Sequence, residues 1–373
     1  MSPVTIRCFD WDRDRQAAEE LDVSCEVGSP LVTVTMGDPL CRVRNSPAYQ
    51  MLVAELGSKI VGVIRGSIKT VIVGTTQATV GYILGLRVSP LHRRLGIAFL
   101  LVGAIEKWFS SNSVEYAYMA TQKTNLPSIN LFTNKLNYIK FRQPVILVNT
   151  VGRRPIPIPS NVTVINLTVD EATSLYNKQM RCSAEFFPLD IDSILKNNLS
   201  LGTFVACRKD ESWPTAKSWA VISVWNSCEV FKLRLGRVPW YFVALAKLSR
   251  LIMESLLLPC FKLRAVPDLF SVFGFYFLYG LHGEGPHAGL MMEVLCNFVH
   301  NMAVKVKDSE MIVAELGGND ELRKHVPHWK WIFSSEDLWC IKALGGEGGS
   351  QGAVPEWAKA AAPPELFVDP REI

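Results

Sequence analysis

Arg93 and Arg94 stand between two apolar runs in LGLRVSPLHRRLGIAFLL, residues 84–101, and Gly96 follows two positions later. Upstream, residues 59–73 and 78–88 are β-branched, glycine-punctuated runs of strand length, joined by a turn at Gly74 to Gln77. Downstream, Leu95, Phe99, Val102, Ile105, Glu106 and Phe109 mark a helix that is apolar on most faces. The arginines therefore sit where a strand turns into a helix. The first amides of a helix have no intrahelical acceptor, and the peptide dipoles add partial positive charge, so an anion fits there. Gly96 lets backbone approach it, Ala98 keeps the first turn narrow, and the two guanidinium groups can hold phosphate oxygens. The plainer alternative is a solvated basic turn ahead of a core helix.

Other chemistries find little support. The six histidines form no H-E-x-x-H, and the pair His325 and His328 suits a helix end better than a metal; no metal is expected. No G-x-x-x-x-G-K-[ST] loop and no G-x-S-x-G elbow occur. The nine cysteines are scattered and never spaced C-x-x-C, which reads as thiols in a reducing compartment. With 39 basic and 35 acidic side chains the net charge is only +4, too balanced for a protein that coats nucleic acid. At 373 residues and 49% hydrophobic, the chain can bury cores for two domains.

MSPVTIRCFDWDRDRQ holds no apolar core of the length a secretion signal requires, so export is not expected and a cytoplasmic or nuclear location is. WYFVALAKLSRLIMESLLLPC, from Trp240, is long enough to span a bilayer. Lys247, Arg250 and Glu254 recur along it at helical spacing as one polar stripe, so an amphipathic helix with no membrane span is expected.

A second stretch lies beyond the arginine loop. YAYMATQKTNLPSINLFTNKLNY, residues 116–138, reads as strand, turn and helix. RRLGIA after LGLRV is similar to the R/Q-x-x-G-x-G/A loop of the GCN5-related N-acetyltransferase (GNAT) superfamily, and 116–138 resembles its N-x-x-A-x-x-L-Y-x-K-x-G-F motif. Longer stretches, among them GDPLCRVRNSPAYQMLVAE, GEGP, EDLWCIK and FVDPREI, resemble plant Hookless-type N-acetyltransferases over nearly the whole chain. That family is associated with hormone-controlled differential growth.

The resemblance implies acetyl-coenzyme A as the donor. Its pyrophosphate would lie on Arg93, Arg94, Leu95, Gly96, Ile97 and Ala98, and its pantetheine arm along Leu86, Arg87 and Val88. Asn125, Ser128 and Phe132 of the second motif would complete the cofactor site. Acetyl transfer also needs proton management: the acceptor ammonium must lose a proton, and the leaving thiolate must gain one. Where many members place a tyrosine, this chain has Phe132, which cannot donate. Where some place a glutamate on the fourth strand, it has Tyr82. Tyr82, Glu115 and Tyr118, or an ordered water, are the candidates for this work. Two classes stay open: an enzyme acetylating a protein or small-molecule amine, and a regulatory binding module that keeps the fold.

After RRPIPIPS, residues 153–160, the order of elements restarts, with strands at 162–167, 202–207, 218–225 and near 272–280, then HGEGPHAGLMMEVLCNFVHNM entering a helix. Asn319 follows Ala314 by the interval that separates Asn125 from Ala120. The expected organisation is α/β (α+β), two tandem acyl-CoA N-acyltransferase folds with a mixed central sheet flanked by helices. The boundaries are a donor-binding domain at 1–150, a proline-rich linker at 151–160, a degenerate second domain at 161–344 and a Gly/Pro/Ala-rich tail at 345–373. Glu284 and Pro286 in the second loop oppose a pyrophosphate, one by charge and one by removing an amide.

Overall fold

The computed structural model describes residues 3–26, 31–236, 271–329, 335–345 and 355–373; the stretch from Trp240 to Cys260 lies outside them. Among the described residues no helix is long and apolar enough to cross a membrane.

The first half runs β1 (Val4–Cys8), α1 (Trp11–Cys25), β2 (Leu31–Val34), β3 (Ala48–Leu56), β4 (Lys59–Val73), β5 (Thr76–Val88), α2 (Ile97–Ser111), β6 (Tyr116–Gln122), α3 (Leu126–Asn130), β7 (Ile139–Arg142) and β8 (Val145–Thr150). β1, β3, β4 and β5 pair antiparallel in the order β1-β3-β4-β5. α2 then carries the chain across the sheet, so that β6 lies parallel to β5. The helix buries Ile97, Leu101, Val102, Ile105 and Phe109, the one-sided spacing of a helix on a sheet. Leu95 and Phe99 are 58% and 47% exposed: Leu95 precedes the helix, which starts at Ile97, and Phe99 lies outside its buried stripe.

The second half repeats this plan with β9 (Val162–Leu167), α4 (Val169–Gln179), β10 (Phe187–Pro188), α5 (Ile191–Lys196), β11 (Ser200–Arg208), β12 (Trp219–Asn226), β13 (Lys232–Leu235), β14 (Gly274–Glu284), α6 (Ala288–Ala303), β15 (Ser309–Leu316) and β16 (Ser335–Ala343). Here β9-β11-β12-β14 are antiparallel neighbours and β15 is parallel to β14 across α6.

The repetition extends to a defect. In β5 the pairing with β4 slips by one residue at Gly85, which has φ +59°; in β14 the pairing with β12 slips in the same sense at Gly280, with φ +61°. A bulge with a left-handed first residue calls for glycine. No side chain would fit there in any case. A Cβ on Gly85 would lie 2.6 Å from the Arg65 guanidinium, and one on Gly280 2.6 Å from the Tyr176 hydroxyl. In each half the last parallel pair, Ile83 with Met119 and Leu278 with Ala314, comes two residues before the bulge glycine, and beyond it the strands part.

The halves are not closed units. β16 pairs antiparallel with β6 and β8 with β15, so that one continuous sheet runs β1-β3-β4-β5-β6-β16-β8-β15-β14-β12-β11-β9. β7 and β8 are separate strands and not one, because Pro144 between them cannot donate to a ladder. β7 stays beside β16, and β8 crosses to β15. One apolar core lies under α2, another under α6, and the largest fills the opposite face of the joined sheet, taking in Tyr82, Tyr118, Trp339 and Phe367.

Candidate active site

The gap between the diverging ends of β5 and β6 is closed at its outer end by residues 89–96. Arg94 adopts φ +63° and Gly96 φ +80°, turns that point successive amides to one side. The first helical bond of α2 runs from the Leu100 amide to the Gly96 carbonyl at 3.1 Å, and no side chain caps the helix. The amides of Ile97, Ala98 and Phe99 are thus left for an outside acceptor. The Arg93 and Arg94 side chains are exposed beside them. Asn125 caps α3, its carbonyl accepting from the Ser128 amide while its amide donates to Thr121 Oγ1 at 3.0 Å.

At the inner end, Tyr82 and Tyr118 each precede a member of the last parallel pair, and their rings stack at 4.8 Å on the face away from α2. The Tyr118 hydroxyl donates to Glu372 Oε2 at 2.6 Å, and Lys69 Nζ sits 2.8 Å from the same oxygen. Burial, then the charge of Glu372, pushes both phenols well above their ordinary value, so they remain protonated donors. Trp339 on the exchanged strand β16 packs 5.5 Å from Tyr118, and its indole donates to Glu315 Oε1 at 3.2 Å.

A parted parallel strand pair, a bulge on one strand and uncapped amides behind an R-x-x-G-x-A loop coincide with what the comparisons find. The profile of the "Acetyltransferase (GNAT) family" matches residues 18–138. The Arabidopsis thaliana protein "Probable N-acetyltransferase HLS1-like" is 43% identical, covering 99% of both chains. The chain belongs to the GNAT acetyltransferases of the plant Hookless type. The Oryza sativa "Acetyl transferase GW6a" is 35% identical over 99% of this chain and 97% of its own. At the level of fold, N-myristoyltransferase from Saccharomyces cerevisiae, solved with bound myristoyl-CoA, superposes with a TM-score of 0.56 at 10% identity, covering 91% of this chain and 79% of its own.

Not every residue singled out in the GNAT motifs meets at this site. Glu115 does not reach it. It is exposed at the start of β6, at the far end of the strand from the loop, and its carboxylate accepts the Thr79 amide at 2.9 Å. Phe132 packs edge-to-face on Tyr138 in the core under α2, on the opposite side of the sheet from Tyr82 and Tyr118. Arg87 lies on the parting strand, but its guanidinium is paired with Glu26 at 3.0 Å. Leu86 and Val88 lie on the stretch of β5 that has left β6, and Ser128 stands in α3 behind the Asn125 cap.

The second GNAT unit differs in the same region. Its connection from strand to helix is only Gly285, Pro286 and His287, where the first has residues 89–96. Across the mouth of its strand gap runs the chain's own Pro364–Phe367. The Glu365 carboxylate meets His282 Nδ1 at 2.7 Å, and a Cβ on Gly317 would lie 2.9 Å from the Pro364 carbonyl. The partner of Asn125 is Asp320, which caps the short helix that follows and accepts the Leu322 amide at 2.8 Å; Asn319 is one residue out of register.

Sequence reasoning missed Lys69, Glu315, Asp337, Trp339 and Glu372. The available signal was the run DPRE at 369–372, three charges directly after the apolar LFV. Burial first, and Asp337 second, lift the Glu315 carboxyl from the usual 4.5 to about 8; burial lifts Asp337 from 3.8 to about 6. The folded chain therefore holds protons that the unfolded chain has released, and stability falls as pH rises between about 4 and 8. Thermal melting should show Glu315→Gln more stable than the parent at pH 8 and little different at pH 5. A parent melting temperature that does not fall over that range contradicts this.

Proposed function

We propose that the chain moves an acetyl group from acetyl-coenzyme A to an amine on a protein or small molecule. The pyrophosphate would sit on residues 93–98, the pantetheine arm along Leu86–Val88 and the thioester near Tyr82 and Tyr118. The observation that carries this reading is the gap between β5 and β6, which ends in uncapped amides on one side and two protonated phenols on the other. Positioning of donor and acceptor, with amides for the developing oxyanion, can supply a large share of the rate. The reading extends to a role in hormone-controlled growth, by kinship with Hookless-type proteins, and to a cytoplasmic or nuclear place of action, for which the scattered cysteines without C-x-x-C spacing speak.

Calorimetric titration of the full chain with acetyl-coenzyme A, followed by thiol-release assays with histone peptides, protein N-termini and polyamines, tests it. Saturable donor binding near one per chain and amine-dependent thiol release are expected. Absence of binding overturns the donor assignment. Tight binding with no transfer to any amine favours a regulatory binding module, which the buried Phe132 in place of a tyrosine would then explain.

A further inference from the structure

Residues 366–373 do not trail from the fold. Phe367, Asp369, Arg371 and Glu372 are buried in the largest core. The Asp369 carboxylate is fully enclosed and accepts from the Arg371 amide, Nε and Nη2, with Lys69 at 3.6 Å. Arg371 reaches on to both oxygens of Asp190 at 2.6 and 3.0 Å, and the Arg42 guanidinium donates to the Ile373 carbonyl at 2.8 Å. A short turn, Pro370–Glu372, is thereby fixed beside β4 and β6 and holds the Glu372 side chain in one place.

One atom of this cluster is left over. Glu372 Oε2 takes Tyr118 and Lys69, while Oε1 is buried with no hydrogen-bond partner. Buried carboxylate oxygens are nearly always satisfied, and an orphan calls for an explanation. The missing partner is a donor, which an acceptor ammonium supplies. We propose that Glu372 is the general base of the acetyl transfer, taking the acceptor's proton on Oε1, while Tyr118 returns a proton to the departing sulfur. This rests on the N-acetyltransferase reading of the site.

The acceptor R–NH3+ gives one proton to Glu372. The free amine attacks the thioester carbonyl, the C–N bond forms, and the C–S bond breaks with its electron pair on sulfur. The Tyr118 hydroxyl proton goes to that sulfur and is replaced by the proton held on Glu372. The extra proton on nitrogen passes to the restored carboxylate and then to water. In sum, an ammonium and a thioester become an amide, a thiol and one released proton. The charged and titratable groups facing Glu372 are Lys69 of β4, Tyr82 of β5, Tyr118 of β6, Glu315 of β15, and Asp369 and Arg371 of its own segment, with Asp337 and Arg42 just beyond. Glu315 already holds the Trp339 indole, and Asp369 is saturated by Arg371, so the orphan oxygen belongs to Glu372 alone among these carboxylates.

The test is the pH dependence of kcat/KM in the full chain and in Glu372→Gln, with acetyl-coenzyme A affinity measured alongside. The glutamine variant should bind donor unchanged, lose roughly 10² to 10³-fold in kcat and lose the acid limb of the profile, as removal of one general base does. Glu372→Asp should regain part of both. Should the glutamine variant fail to fold, Tyr118→Phe, which keeps the ring packing, should lower kcat by roughly 10²-fold and retain the acid limb. A glutamine variant with the parent's rate and acid limb, or a phenylalanine variant at the parent's rate, overturns the proposal while the enzyme reading stands. A parent chain that binds no donor or acetylates nothing overturns both.

Discussion

Gly96→Glu is expected to remain folded and to give no heat of binding with acetyl-coenzyme A. Nothing lies within 4 Å of the position a Cβ would take at Gly96, so the new side chain meets open space and leaves the core under α2 undisturbed. Its φ of +80° is costly for any residue with a Cβ, at about 1–2 kcal/mol. The larger effect is electrostatic. A carboxylate placed beside the amides of Ile97, Ala98 and Phe99 takes up the site's positive end and repels the donor's phosphates. At an effective dielectric near 20, one such contact at 4 Å costs about 4 kcal/mol, roughly a thousandfold in affinity. Calorimetry, with a melting curve to verify folding, decides the matter; an unchanged Kd would remove residues 93–98 from the donor site.

Arg142→Met should destabilise the protein by about 3–5 kcal/mol, the usual cost of stranding a buried charge. Arg142 and Glu185 face one another with side chains 4% and 3% exposed, joined by bonds of 2.5 and 2.6 Å. The same guanidinium donates to the carbonyls of Trp357 and Ala360, tying β7 to the segment that leads towards Glu372. Because the penalty comes from leaving Glu185 without its counter-charge, Arg142→Met combined with Glu185→Leu should recover most of it. Urea unfolding of the two variants checks this: a double variant no more stable than the single one would place the cost in the lost carbonyl contacts instead.

What could be read from the sequence was local. Arg93, Arg94 and Gly96 lie within a few residues of the strand and helix that present them, so the cradle is written in one contiguous stretch. The bulge at Gly85 follows from a glycine in a β-branched run, although its twin at Gly280 is recognisable only once both ladders are known. Aligned on that twin, Ala314 matches Met119 and not Ala120, which puts Asn319 one residue out of register; equal spacing from an alanine cannot reveal which residue ends the parallel pairing. The pairing of β16 with β6 and of β8 with β15 depends on contacts between positions about 160 to 230 residues apart. No periodicity within either strand signals its partner. Glu372 is hidden for a related reason: the charged run DPRE, ending a Gly/Pro/Ala-rich stretch, reads as solvated until Lys69, Arg371 and Tyr118 are seen around it.

The exchange of β8 and β16 also sets an order of events in biosynthesis. When a ribosome has delivered residues 1–150, the nascent sheet ends at an unfilled β6 edge, while β8 still lacks the strand it will lie against. Both wait for residues 309–343 to emerge, and Asp369 and Glu372 beside Tyr118 arrive later still. An unpaired edge of this kind invites mispairing, and such distant contacts form slowly. On the proposed mechanism the first unit therefore acquires the loop at 93–98 and both tyrosines early in translation and Glu372 last, so the half-made chain carries a cradle for a thioester before it carries its general base.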